Sequence, residues 1–180
     1  MMKSLKQFLN VFILFTAVSC SVNSKLKAQD NSELFTIYLV RHAEKDVSGN
    51  HGGDPPLTAC GEERAKHLSN FLGHIELDAV YSTNYARTQN TAMPTAKAKE
   101  LEIQDYSPRD LEVFAEQLKE QREDALVAGH SNTTGVLAGL LVGEEIGSFD
   151  ESIYNRIYQV VFHEKEGRLH LFHTAFYCTE

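Results

Sequence analysis

Arg41-His42 closes a β-prone apolar run, Arg87 follows soon after Ser82, and Gly129-His130 closes a second apolar run further along the chain. Guanidinium forks match the oxygens of a phosphoryl group, a helix N-terminus adds free backbone N–H groups, and a neutral imidazole is a nucleophile. Drawn together, Arg41, Arg87, His42 and His130 would form a pocket for a dianion with a nucleophile inside it. Asn132, beside the predicted helix start, would add one more hydrogen bond. The chain of 180 residues is acidic, with a formal charge of −8 and a pI near 5.5. Sequence-independent nucleic-acid binding needs a Lys/Arg surface and is not expected. An anionic substrate must therefore be held by a local positive cluster.

The elements that would position these residues alternate in type. Phe35 to Val40 is a continuous apolar run, the pattern of a strand covered on both faces. A Gly/Asp/Pro-rich loop from Val47 to Pro56 follows, and Thr58 caps a helix carrying Ala65, Leu68 and Leu72 at helical spacing. Asp78 to Ser82 reads as a second strand, and residues 84–99 as a helix broken or kinked at Pro94. A third strand is expected from Ile103 to Tyr106, then a helix from Leu111 to Gln121. Ala125 to Ala128 is another buried strand, after which Ser131 is expected to cap a helix through Val142. Tyr158 to His163 and Arg168 to His173 alternate around Glu164 to Gly167, as in a hairpin. Strands alternating with helices predict a three-layer α/β/α sandwich with a mainly parallel central sheet and an antiparallel edge.

In this order the motifs resemble the histidine phosphatase superfamily, which also contains the phosphoglycerate mutases. The resemblance rests on Leu39-Val40-Arg41-His42-Ala43-Glu44, Pro56-Leu57-Thr58 with Gly61 and Arg64-Ala65, Tyr81-Ser82-Thr83 with Arg87-Thr88, and Gly129-His130-Ser131-Asn132. It implies a phosphoglycerate mutase-like fold over most of the chain and a metal-independent phosphatase without a cofactor. His42 would carry the phosphoryl group covalently, and Arg41, Arg87 and His130 would hold its oxygens. A carboxylic acid between the second and last motifs would protonate the leaving group. Glu112 is preferred to Asp110, although both also suit a helix N-terminus, and some family members on phosphohistidine lack the acid altogether. Mutases carry Gly after the Arg-His pair and a long insertion, whereas Ala43 and a short segment stand here. Hydrolysis of phosphomonoesters or phosphohistidine is expected ahead of two alternatives, a non-catalytic phosphate-ligand receptor and a phosphoglycerate mutase. The partner is thus a phosphorylated small molecule or phosphoprotein.

Lys3 and Lys6 before the apolar run Phe8 to Val18 read as a signal peptide over residues 1–19. Ala17-Val18-Ser19-Cys20 resembles a lipoprotein cleavage site, so Cys20 is the expected lipidation point, residues 20–33 a polar tether, and residues 34–180 an exported domain. Membrane contact would come only through that lipid and the location would be the bacterial envelope; an ordinary secretory signal with Cys20 incidental would instead leave the domain secreted or periplasmic. Export permits a bond between Cys60 and Cys178 but does not establish one. Lys45 and His51 are read as solvated loop residues, His67 and His74 as exposed, and Arg64 as a packing or pairing residue. His163 and His170 could face each other across the hairpin with His173 nearby, but no metal site is expected there.

Overall fold

The computed structural model describes residues 34–178, so the predicted signal peptide, Cys20 and the whole tether lie outside the described residues. The elements in chain order are β1 Phe35–Arg41, α1 Ala59–Phe71, β2 Ala79–Ser82, α2 Ala86–Ala98 and β3 Ile103–Asp105. There follow α3 Leu111–Gln121, β4 Ala125–Gly129, α4 Thr134–Val142, β5 Arg156–His163 and β6 Glu166–His173. One sheet runs in the order β3-β2-β4-β1-β5-β6. Its first four strands are mutually parallel, while β5 and β6 add an antiparallel edge.

Strand alternation divides the core into two layers of packing. Ile37, Leu39, Tyr81, Val127, Val160 and Phe162 turn toward one face, where Phe114 and Leu118 of α3 and Leu137 and Leu141 of α4 cover them. Tyr38, Val40, Val80, Leu126 and Ile157 turn the other way, against Leu68 of α1, Leu72 and Ala92 and Ala96 of α2. Helices on both faces explain why β1 and β4 are apolar at nearly every position. The predicted α/β/α sandwich is the observed one.

Local departures have physical reasons. Pro94 lies inside α2, which continues to Ala98 instead of breaking. The missing N–H leaves the Asn90 carbonyl without its helical partner, on the exposed side of the helix, while buried Thr91, Ala92, Thr95 and Ala96 hold the opposite side against the core. Ser131 does not cap α4: a turn intervenes, and its bonds run from Thr133 N and Thr134 N to the His130 carbonyl at 3.1 and 2.9 Å. Across the hairpin His163 pairs with Glu166 and His170 with Gln159, so the two histidines do not face each other. The turn is only Glu164-Lys165, with Glu164 at a φ of 57°.

Thr58 caps α1 as expected, its Oγ1 accepting from Gly61 N at 3.0 Å. Gly61 is needed for a second reason. A Cβ built there would sit 2.3 Å from the Glu44 carbonyl oxygen, so only glycine lets α1 approach the segment that follows His42.

The chain end returns to α1. Cys60 and Cys178 form a disulfide with a Cα–Cα distance of 5.6 Å, closing a loop 118 residues apart in sequence. Phe176 packs beside it against His67 at 5.3 Å between ring centroids, under the Arg64 guanidinium at 4.8 Å. Cross-linking so long a loop restricts the unfolded chain, so reduction should lower stability by about 2–5 kcal/mol. Urea unfolding with and without a thiol reductant measures this, and a Cys60→Ser/Cys178→Ser variant should match the reduced protein and ignore the reductant.

Candidate active site

Parallel register brings the separated motifs together. β1 and β4 are neighbours with Arg41 opposite Gly129, and the ladder continues as His42 N donates to the Gly129 carbonyl at 2.9 Å. His42 and His130 thus leave adjacent strands side by side, with ring centroids 5.5 Å apart in an edge-on arrangement. β2 flanks β4 on its other side with Ser82 opposite Ala128, so Thr83 emerges next to His130. Thr83 Oγ1 lies 3.0 Å from His130 Nε2 and 2.9 Å from Thr88 Oγ1, tying the ring to the start of α2. Gly129 leaves the space for this: a Cβ there would be 2.7 Å from the Tyr106 hydroxyl and 3.0 Å from Thr133 Oγ1.

His42 is 3% exposed and its Nδ1 is 2.7 Å from the Ala43 carbonyl oxygen. A carbonyl can only accept, so Nδ1 carries the proton and Nε2 keeps its lone pair. Ala43 itself is fixed, because its N–H donates to Thr91 Oγ1 of α2 at 2.9 Å. Glu44, next in the chain, is held by Arg64 through contacts of 2.6 to 2.9 Å, which confirms Arg64 as a pairing residue.

Arg41 is also 3% exposed. Its Nη1 donates to the Glu151 and Ile153 carbonyls, and its guanidinium lies 4.1 Å from the Tyr154 ring centroid. Arg87 sits 4.5 Å from the Tyr85 ring centroid and donates from Nη1 to Asp54 Oδ1 at 3.1 Å. The Nε atoms of both arginines are buried without a hydrogen-bond partner. Each guanidinium is therefore held by an aromatic face and by one end, with donor capacity to spare.

These groups open onto a pocket of about 420 Å³ lined by Arg41, His42, Arg87, His130 and Asn132 from the predicted set. Lys45, set aside in the sequence, also lines it, as do Tyr85, Arg109 and Glu151. Tyr85 lay two residues from Arg87 in a segment already singled out, whereas Glu151 lies in a stretch with no motif. Glu112 is exposed on α3 and is not among the residues lining the pocket. Asp110 is not among them either; it stands at the N-cap of α3 and accepts from Ser107 Oγ at 2.9 Å. Instead Pro108 and Arg109 turn toward the pocket, and the lining carboxylate is Glu151, paired with Lys45 at 3.3 Å.

Burial holds both imidazoles neutral. Desolvation lowers His42 to about 3 against its bond to Ala43, with Arg41, His130 and Arg87 adding repulsion. Desolvation, then Arg87 and Arg41, lower His130 to about 4. An unfolded histidine titrates near 6.5. As pH falls below that value the unfolded chain takes up protons first, so the stability these sites contribute is full above about 6.5 and is lost progressively toward about 4 for His130 and about 3 for His42. Imidazole NMR should find His42 and His130 still neutral at pH 5.5; titration of either near 6.5 would contradict the desolvated site.

Residues 37–109 match the model of the histidine phosphatase superfamily (branch 1). Phosphoserine phosphatase 1 of Hydrogenobacter thermophilus is 41% identical over 71 residues, a stretch that covers 37% of this chain and 34% of that protein. The chain thus matches about a third of the length of this curated relative. The protein histidine phosphatase SixA, solved with tungstate, superposes with a TM-score of 0.67 at 18% identity, covering 77% of this chain and 97% of that one. The alpha-ribazole phosphatase from Shigella flexneri gives 0.65 at 19% identity, covering 81% of this chain and all, 100%, of that one. His130 lies beyond the matched segment, and the β1–β4 register supplies it. Residues 37–109 carry the sequence pattern of the histidine phosphatase superfamily, and the domain built around them has the phosphoglycerate mutase-like fold.

Proposed function

We propose that the protein is a phosphatase that works through a covalent phosphohistidine at His42. The observation that carries this reading is the bond from His42 Nδ1 to the Ala43 carbonyl, which leaves Nε2 unprotonated in a pocket ringed by Arg41, Arg87 and His130. In the first step Nε2 attacks phosphorus in line, an N–P bond forms, and the P–O or P–N bond to the leaving group breaks. In the second, water attacks the same phosphorus and returns inorganic phosphate and the free imidazole. Arg41, Arg87 and His130 stabilise the charge on the equatorial oxygens in both steps, with Asn132 a further donor at the pocket wall. Neutral His42 needs no base, because its nucleophilic form already prevails at physiological pH.

The absence of Glu112 and Asp110 from the pocket lining favours substrates whose leaving group departs without strong proton assistance. Phosphohistidine and aryl phosphates are of that kind, and alkyl phosphates are not. The open pocket admits water, which supports hydrolysis over mutase transfer. Export with a lipid at Cys20 remains part of the proposal, supported by the Cys60–Cys178 disulfide, since such bonds persist in oxidising compartments.

Purified protein should hydrolyse phenyl phosphate in excess EDTA, because every step is assigned to side chains. His42→Ala should lower kcat by at least about 10³-fold and Arg87→Ala kcat/KM by about 10²-fold. An Asp110→Asn/Glu112→Gln variant should stay within a few-fold of wild type. Phosphate binding without turnover of phenyl phosphate or phosphohistidine would instead mark a receptor.

A further inference from the structure

Asp54 stands just ahead of Pro56-Leu57-Thr58, lies on an exposed loop and is not among the pocket-lining residues, yet three hydrogen bonds converge on its carboxylate. Ala86 N at the first turn of α2 donates to Oδ1 and Oδ2 at 3.1 and 3.0 Å, and Arg87 Nη1 donates to Oδ1 at 3.1 Å. The helix needs this acceptor: its N-cap residue, Tyr85, supplies no side-chain cap bond. A carboxylate there also faces the positive end of the helix dipole.

The loop is built to present it. Gly52 and Gly53 adopt φ values of 61° and 92°, which reverse the chain, and Asp54 N donates to the His51 carbonyl at 3.1 Å. Pro55 and Pro56 then restrict the backbone, and the Pro56 carbonyl accepts from Asp46 N at 2.8 Å. Asp54 therefore arrives at α2 from a loop 32 residues away in sequence, already oriented.

We propose that Asp54 is a positioning residue that sets the Arg87 guanidinium for the phosphoryl group, clamping it between the loop and the Tyr85 ring while capping α2. This rests on the phosphatase reading for its consequence in turnover, but the clamp itself concerns anion affinity. Without it, Arg87 keeps its charge and loses one of its two fixed contacts, so the loss appears as a poorly placed donor.

The test is a cycle of Asp54→Ala, Arg87→Ala and the double variant, with Asp54→Asn and Asp54→Ser alongside. It reads phenyl phosphate kinetics, calorimetric affinity for inorganic phosphate, and Tm. Asp54→Ala should lower both kcat/KM and phosphate affinity about tenfold, and should have no further effect once Arg87 is gone. Asp54→Asn, whose amide oxygen can still accept, should recover most of both. Asp54→Ser keeps an acceptor for Ala86 but is too short to reach Arg87 as well, so it should fold and still lose phosphate affinity even if Asp54→Ala does not fold. Additive losses in the cycle, or a lower Tm with phosphate affinity unchanged, would overturn the proposal. Unchanged coupling in phosphate affinity together with an inert wild type would leave the clamp standing and sink only the phosphatase reading.

Discussion

The parallel pairing of β1 with β4 is the constraint on which the rest depends. Side chains in a parallel pair keep step, so matching Arg41 to Gly129 sends His42 and His130 out of the sheet as neighbours. A one-residue slip would turn every side chain of β1 to the opposite face, exposing Ile37 and Leu39 to the wrong helices and moving His42 out of reach. The two packing layers oppose that slip over the whole length of the strand. The site thus inherits its geometry from the core, and the loops need only complete it.

That geometry carries an electrostatic cost which the fold offsets locally. Arg41 and His42 are both buried, one as a cation and one held neutral. Arg41 is compensated by carbonyls of the 151–153 loop and by Tyr154, none of which neutralises its charge. Burial first, and then the positive field so preserved, suppress protonation of His42 and His130.

Most of this was legible in the chain because strand and helix signals coincided with the motifs. Strand ends at Arg41 and Gly129, the Thr58 cap and the α3 boundaries all follow from local residue types. Tertiary contacts decided what local types could not. Pro94 stays helical because packing of Ala92 and Ala96 outweighs one lost bond. Glu112 misses the pocket because the Pro108-Arg109 turn points inward and places the helix start outside. The hairpin register depends on a two-residue turn that the Glu164 to Gly167 reading made too long. Thr83, Thr91 and Asp54 act through spatial neighbours 5 to 48 residues distant, and no spacing rule announces such pairs.

The central claim is that His42 itself becomes phosphorylated. Rapid acid-free quenching of the His130→Ala variant with radiolabelled phenyl phosphate, followed by peptide mapping, measures it directly. The account predicts label on the peptide containing His42, stable in alkali and lost in acid as a phosphoramidate must be. Turnover that proceeds with no label on His42 at any time, or with label on another residue, would contradict it.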